Sequence, residues 1–232
     1  MKYIVALLAI WPFAAGAESI VSAKYTDPTD RYNHGVLGDA IEWGTLEVKL
    51  DDGKRRKFIL PQERVFEDLE PRVVDLDGDG NPEVITVESH IHFGARLSIW
   101  DADGFVTSNE WIGQRNRWLA PVGAVDIDGD GFTEIGYIDR PHLAKELAIY
   151  RYRGRALEFV VSVLPFTNHR IGEDFITGGV RECKGRKPEF IVASGDWTQV
   201  MSVNWGIDGP RSQIVRPNRG PRSFERALKC SQ

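Results

Sequence analysis

Apolar positions along this chain recur at every second residue, in short runs, and only rarely at helical spacing. Arg96-Leu97-Ser98-Ile99-Trp100 and Glu146-Leu147-Ala148-Ile149-Tyr150 show the pattern clearly. Short β-branched or aromatic runs bounded by Gly, Pro and Asp read as strands. On this basis strands are expected over residues 20–25, 40–43, 44–50, 54–60, 84–88, 96–100, 105–111, 135–138, 146–150, 157–164, 198–205 and 213–216. Asp51-Asp52-Gly53 predicts a tight turn. A helical turn is expected only at residues 223–228.

The beginning of the chain departs from this pattern. Lys2 precedes an apolar run over residues 3–13, and Ala15-Gly16-Ala17 has the small-x-small form of a signal-peptidase site. A secretory leader cleaved after Ala17 is expected, because the run is too short to span a bilayer. Glu18 follows the cut where a lipoprotein would need Cys. No later segment approaches eighteen apolar residues, so no membrane span is expected and the mature chain should be periplasmic or secreted.

The strand pattern also repeats over longer range. Val74-Asp75-Leu76-Asp77-Gly78-Asp79-Gly80-Asn81-Pro82-Glu83 recurs as Val125-Asp126-Ile127-Asp128-Gly129-Asp130-Gly131-Phe132-Thr133-Glu134, 51 residues later. A weaker copy begins at Val180 and aligns Arg181, Cys183 and Gly185 with the three aspartates, so no metal is expected there. Residues 33–39 and 168–173 also resemble each other. After residue 17 there is room for about four such units, over residues 20–65, 66–115, 116–165 and 166–216, with a tail beyond. Four-stranded antiparallel units arranged radially form a β-propeller, which shields sheet edges by repetition. The expected fold is therefore all-β, a small propeller of about four blades, with an open array or a sandwich as the alternative.

The repeated loops carry the chemistry. Four carboxylates within nine residues repel one another unless a cation sits among them. Calcium takes six to eight oxygens from flexible loops. Asp75, Asp77, Asp79 and Glu83 supply carboxylates and Asn81 its carbonyl; Asp126, Asp128, Asp130, Glu134 and the carbonyl of Phe132 do the same in the second loop. Two calcium ions are expected. An EF-hand shares the opening Asp-x-Asp-x-Asp-Gly but needs Glu at position 12, where Thr86 and Tyr137 stand here.

These loops resemble the FG-GAP repeat, also called the VCBS repeat, known from the integrin α-subunit propeller and many exported bacterial proteins. The resemblance covers both loops and the strand layout of roughly residues 66–165. It implies a calcium-stabilised propeller blade with the carboxylates named above as ligands, while leaving function open, since such propellers serve adhesion, ligand binding and sometimes catalysis.

Charge and the remaining residues narrow the function only partly. The 232 residues carry a formal net charge of −5, a poor match to nucleic acid. Cys183 and Cys230, the two cysteines, suggest one disulfide in an oxidising compartment, with two free thiols as the alternative. Their spacing suits no zinc site. Three histidines lie in polar loops, His34 near Asp39 and Glu42, His142 after Asp139-Arg140, and His169 near Glu173 and Asp174, and these loops could converge as a binding or acid–base pocket. No nucleophile elbow, HExxH or phosphate loop accompanies them, so no catalytic residue is assigned. Seven tryptophans suit either core packing or sugar stacking, and the basic runs at 54–57 and 211–226 read first as solvated faces. The expected role is a monomeric, non-enzymatic binding module for a protein or glycan ligand. The alternative is a hydrolase or lyase with a histidine–carboxylate pocket.

Overall fold

The computed structural model describes residues 18–230; the leader expected over residues 1–17 lies outside the described residues. Among those described, no helix is long and apolar enough to cross a membrane. The structure is all-β apart from one short helix, with strands in three antiparallel sheets.

The first sheet contains β1 (Ile20–Thr29), β2 (Glu42–Leu50), β3 (Arg55–Ile59), β4 (Arg64–Phe66), β5 (Arg72–Val74), β6 (Glu83–His90), β7 (Gly94–Asp101) and β8 (Gly104–Ser108). The second is a meander of β9 (Leu119–Val125), β10 (Glu134–Asp139), β11 (Glu146–Arg153) and β12 (Ala156–Val163). The third holds β13 (Phe166–Thr167), β14 (Gly179–Arg181), β15 (Glu189–Ser194), β16 (Gln199–Gly206) and β17 (Gly209–Pro217). Strands form in the segments where alternation predicts them, whereas β5, β9, β13 and β14 lie outside the expected segments.

Three details differ from expectation. Residues 42–50 form one strand, β2, where two were expected over 40–43 and 44–50. Gly44 lies inside it without a turn, because a Cβ there would meet Asp27 Oδ2 at 3.2 Å and Arg31 Nη1 at 3.3 Å. Second, the first two units share one sheet. Short β4 bridges them, pairing Phe66 with Trp43 on one side and Arg64 with His90 on the other. Third, Arg181 pairs with Glu189, as Val74 pairs with Glu83, so it stands level with Val74 and the expected match to Asp75 is wrong. The third loop is simply one residue shorter.

Glycine sets how closely the sheets approach. A Cβ on Gly136 of β10 would lie 2.9 Å from the Phe190 ring of β15, and one on Gly123 of β9 would lie 2.6 Å from Val180. One hydrophobic cluster joins Leu97 and Ile99 of the first sheet to Ile135 and Tyr137 of the second. Another joins Ile138 and Ile149 to Phe190 and Val203 of the third. Helix α1 (Pro221–Leu228) lays Phe224 and Ala227 on Ile191, Ala193 and Val200. The Cys183–Cys230 disulfide holds the chain beyond α1 to the loop after β14.

Candidate metal centre and histidine cluster

The two acidic loops connect β5 to β6 and β9 to β10, so each is anchored by paired strands. Their internal bonding is nearly identical. Asp75 receives the Gly78 and Gly80 amides at 2.8 and 3.0 Å, and Asp126 receives those of Gly129 and Gly131 at 2.7 and 3.0 Å. Both glycines of the first loop have positive φ, 74° for Gly78 and 86° for Gly80, which Gly adopts without a Cβ clash. Asp79 and Asp130 accept from the amides of Asn81 and Phe132. Glu83 accepts from the Leu76 amide at 2.9 Å, and Glu134 from Ile127 at 3.0 Å.

Oxygens of Asp75, Asp77 and Glu83 gather within 4.8 Å of one another, as do those of Asp126, Asp128 and Glu134. Asp79 and Asp130 stand outside these tight groups. Glu83, at the head of β6, is 4% exposed. Burial, with Asp77 and Asp79 nearby, pushes its carboxyl up to about 7. A hard divalent cation fits this oxygen-only donor set and would relieve the repulsion. A cavity of about 220 Å³ opens beside the first loop, walled by Asp77, Asp79, Glu83 and Asp101.

The second loop differs in one respect that its sequence conceals. Arg151 of β11 donates to Glu134 at 2.6 Å and to Asp128 at 2.5 Å, and its Nη1 stands 3.1 Å from Asp130. This guanidinium occupies the mouth of the loop. Its signal lay 17 residues beyond Glu134, on the neighbouring strand.

The three expected histidines do come together. His34 and His142 line a cavity of about 30 Å³ with Trp118 and Arg140. His142 Nε2 lies 3.1 Å from His169 Nδ1, and His169 Nε2 lies 2.9 Å from the Glu173 carbonyl oxygen. With His169 donating to that carbonyl, its Nδ1 accepts from His142. Burial, with His169 adding, pushes His142 down to about 4, so it is neutral at pH 7. The side-chain carboxylates of Asp39 and Glu173 make no hydrogen bond to these histidines among the described residues. Asp39 accepts from the Ile41 amide and Glu173 from the Arg170 amide, each holding its own turn.

The carboxylate that joins them is Glu67, which the sequence did not single out. Its Oε1 is 2.5 Å from His34 Nδ1, Ser89 donates to Oε2, and Trp118 Nε1 donates to its carbonyl oxygen at 2.8 Å. Nearby Glu42 is 2% exposed, and burial together with Glu67, Asp39 and Asp68 pushes its carboxyl up to about 9.

A second aromatic group surrounds the turn between β6 and β7. The His90 ring lies 4.7 Å from Phe93 and 5.5 Å from Trp111, and Arg96 lies over Trp111 at 4.2 Å. Phe93 is 47% exposed. The His90-Ile91-His92-Phe93 run was its only sequence signal.

Compared with known proteins, the family described as an FG-GAP-like repeat matches residues 75–137, from the first acidic loop through the second into β10. No curated protein and no solved structure gives a significant match.

Proposed function

The chain carries an FG-GAP-like repeat over residues 75–137, and from that premise we propose that it is an exported, calcium-stiffened propeller-type interaction module of about four units. The unit limits are those drawn from the sequence, residues 20–65, 66–115, 116–165 and 166–216. Ring closure is supported by a contact between the first and last units, where the Gly172 amide donates to the Val36 carbonyl at 3.1 Å. Export agrees with the Cys183–Cys230 disulfide, a bond that persists in oxidising compartments.

The observation that carries the calcium reading is the group of Asp75, Asp77 and Glu83 oxygens within 4.8 Å, on a loop of the repeat. At about 1 mM calcium and a Kd of about 0.1 mM, one site contributes roughly 1.4 kcal/mol to stability. Thermal melts with EDTA and with added calcium test this: the melting temperature should fall on chelation and recover with calcium. An unchanged melt would exclude a structural ion.

The partner is a protein or glycan, and the exposed Phe93 with Trp111 and His90 is the surface we assign to it. Flat aromatic faces stack on sugar rings and on peptide side chains. Phe93→Ala should abolish glycan or peptide binding without shifting the melt; retention of all binding would move the contact elsewhere.

The His34–Glu67 pair favours a second reading, since a histidine oriented by a carboxylate is an acid–base unit. The adjoining cavity of about 30 Å³ has room for little beyond water. The binding reading is therefore the stronger one.

A further inference from the structure

We propose that the two acidic loops are not equivalent: Arg151 is a built-in competitor of the ion at the second loop, so the first loop fills first. The inference rests on the calcium reading above and concerns which residues of this chain set the order.

Register makes the comparison direct. Val84 pairs with Trp100, and Ile135 pairs with Tyr150. The residues that follow, Asp101 and Arg151, therefore hold corresponding places beside Glu83 and Glu134. Two residues further on, Asp103 corresponds to Arg153. The charge is reversed at both positions. Arg151 spans Asp128, Asp130 and Glu134, and Arg153 lies over the Phe132 ring at 4.9 Å. At the first loop, Asp101 instead borders the cavity that Asp77 and Glu83 face. Its partner Arg155 lines the same cavity but is turned to Asp101, and Arg56 pairs with Asp103 and Glu18; among the described residues neither arginine pairs with Asp75, Asp77 or Glu83.

The fourth unit shows that a guanidinium can pair permanently with this glutamate, there reaching it from the preceding strand. Glu189 heads β15 as Glu83 heads β6, and Arg181 donates to it at 2.8 Å. Three equivalent glutamates thus meet three solutions: a carboxylate bonded to the Leu76 amide and to no guanidinium, a guanidinium beside a complete acidic loop, and a guanidinium with no acidic loop left. An ion entering the second loop must displace charge-assisted bonds to Asp128 and Glu134, which are among the stronger hydrogen bonds in proteins. The first loop imposes no such exchange. The second site should be weaker by on the order of tenfold or more, and its filling should release Arg151 into solvent.

Calorimetric titration of the whole protein with calcium chloride tests this. The wild type should show one tighter site and a second at least tenfold weaker. Arg151→Gln should bring the second close to the first. In a Glu83→Gln background, wild-type Arg151 should leave only weak binding, and adding Arg151→Gln should restore a tight site. The wild-type titration needs no substitution, so the test stands even if a substituted protein fails to fold. Two equal wild-type sites, unmoved by Arg151→Gln, would overturn the inference while leaving the calcium reading intact. No calcium binding by any form would overturn both.

Discussion

At the residue scale, Glu42 is a carboxyl held among other buried acids. Burial and three neighbouring acids raise its folded pKa to about 9, well above its ordinary value. The folded state then holds a proton that the unfolded chain gives up near pH 4.5. Stability should therefore fall as pH rises from that value toward 9. Glu42→Gln, which mimics the neutral form, should flatten the slope and stabilise the protein at pH 8 by at least about 1.4 kcal/mol, one pKa step. Denaturant titrations at pH 5 and pH 8 check this, and an equal difference at both pH values would refute it. The same scale separates what the sequence revealed from what it hid. The acidic loops were legible because their carboxylates lie at alternating positions of one short segment. Glu67 and Arg151 were not: Glu67 meets His34, 33 positions away, between two loops, and Arg151 meets Glu134, 17 positions away, through strand pairing.

At the element scale, many strands were readable from period-2 alternation, and the repeated acidic loop from its 51-residue offset. The boundary expected at Gly44 failed because that glycine serves packing, crowded by β1; Gly136, inside the strand expected over 135–138, serves packing against Phe190. The short β4 that merges two units escaped notice because three residues carry no periodicity. Gly136 offers a clean test of how tightly the second and third sheets are spaced. Its φ is not in the left-handed region, so alanine there is penalised by contact alone. A methyl at 2.9 Å from a fully buried Phe190 ring must push the sheets apart or turn the ring. Gly136→Ala should cost about 1–3 kcal/mol, the usual range for overpacking a filled core. Phe190→Leu in the same background should recover part of that loss. Chemical denaturation of the three variants measures both, and an unaffected Gly136→Ala protein would mean the spacing is soft.

At the scale of the whole molecule, the question is whether three sheets unfold as one. The Cys183–Cys230 link restrains only the third sheet and α1, whereas the first acidic loop belongs to the first sheet. With a sequence separation of 47 residues, the disulfide should stabilise by about 4 kcal/mol through the entropy it removes from the unfolded chain. The hydrophobic clusters, however, run across sheet boundaries. Leu97 packs in one cluster with Tyr137, and Ile149 in another with Phe190. The second sheet is thereby committed on both sides, and neither outer sheet can open without stripping apolar surface from it. Chelation and the double substitution Cys183→Ser, Cys230→Ser should then each lower the same single transition. Their effects should add to within about 0.5 kcal/mol, as expected for separate sites in one cooperative unit. If calorimetry of the cysteine variant resolves two transitions and EDTA moves only one, the sheets are independent bodies and the shared clusters do not couple them. A single transition moved by both treatments establishes that an ion at one loop stabilises the far end of the chain by holding its neighbours in place.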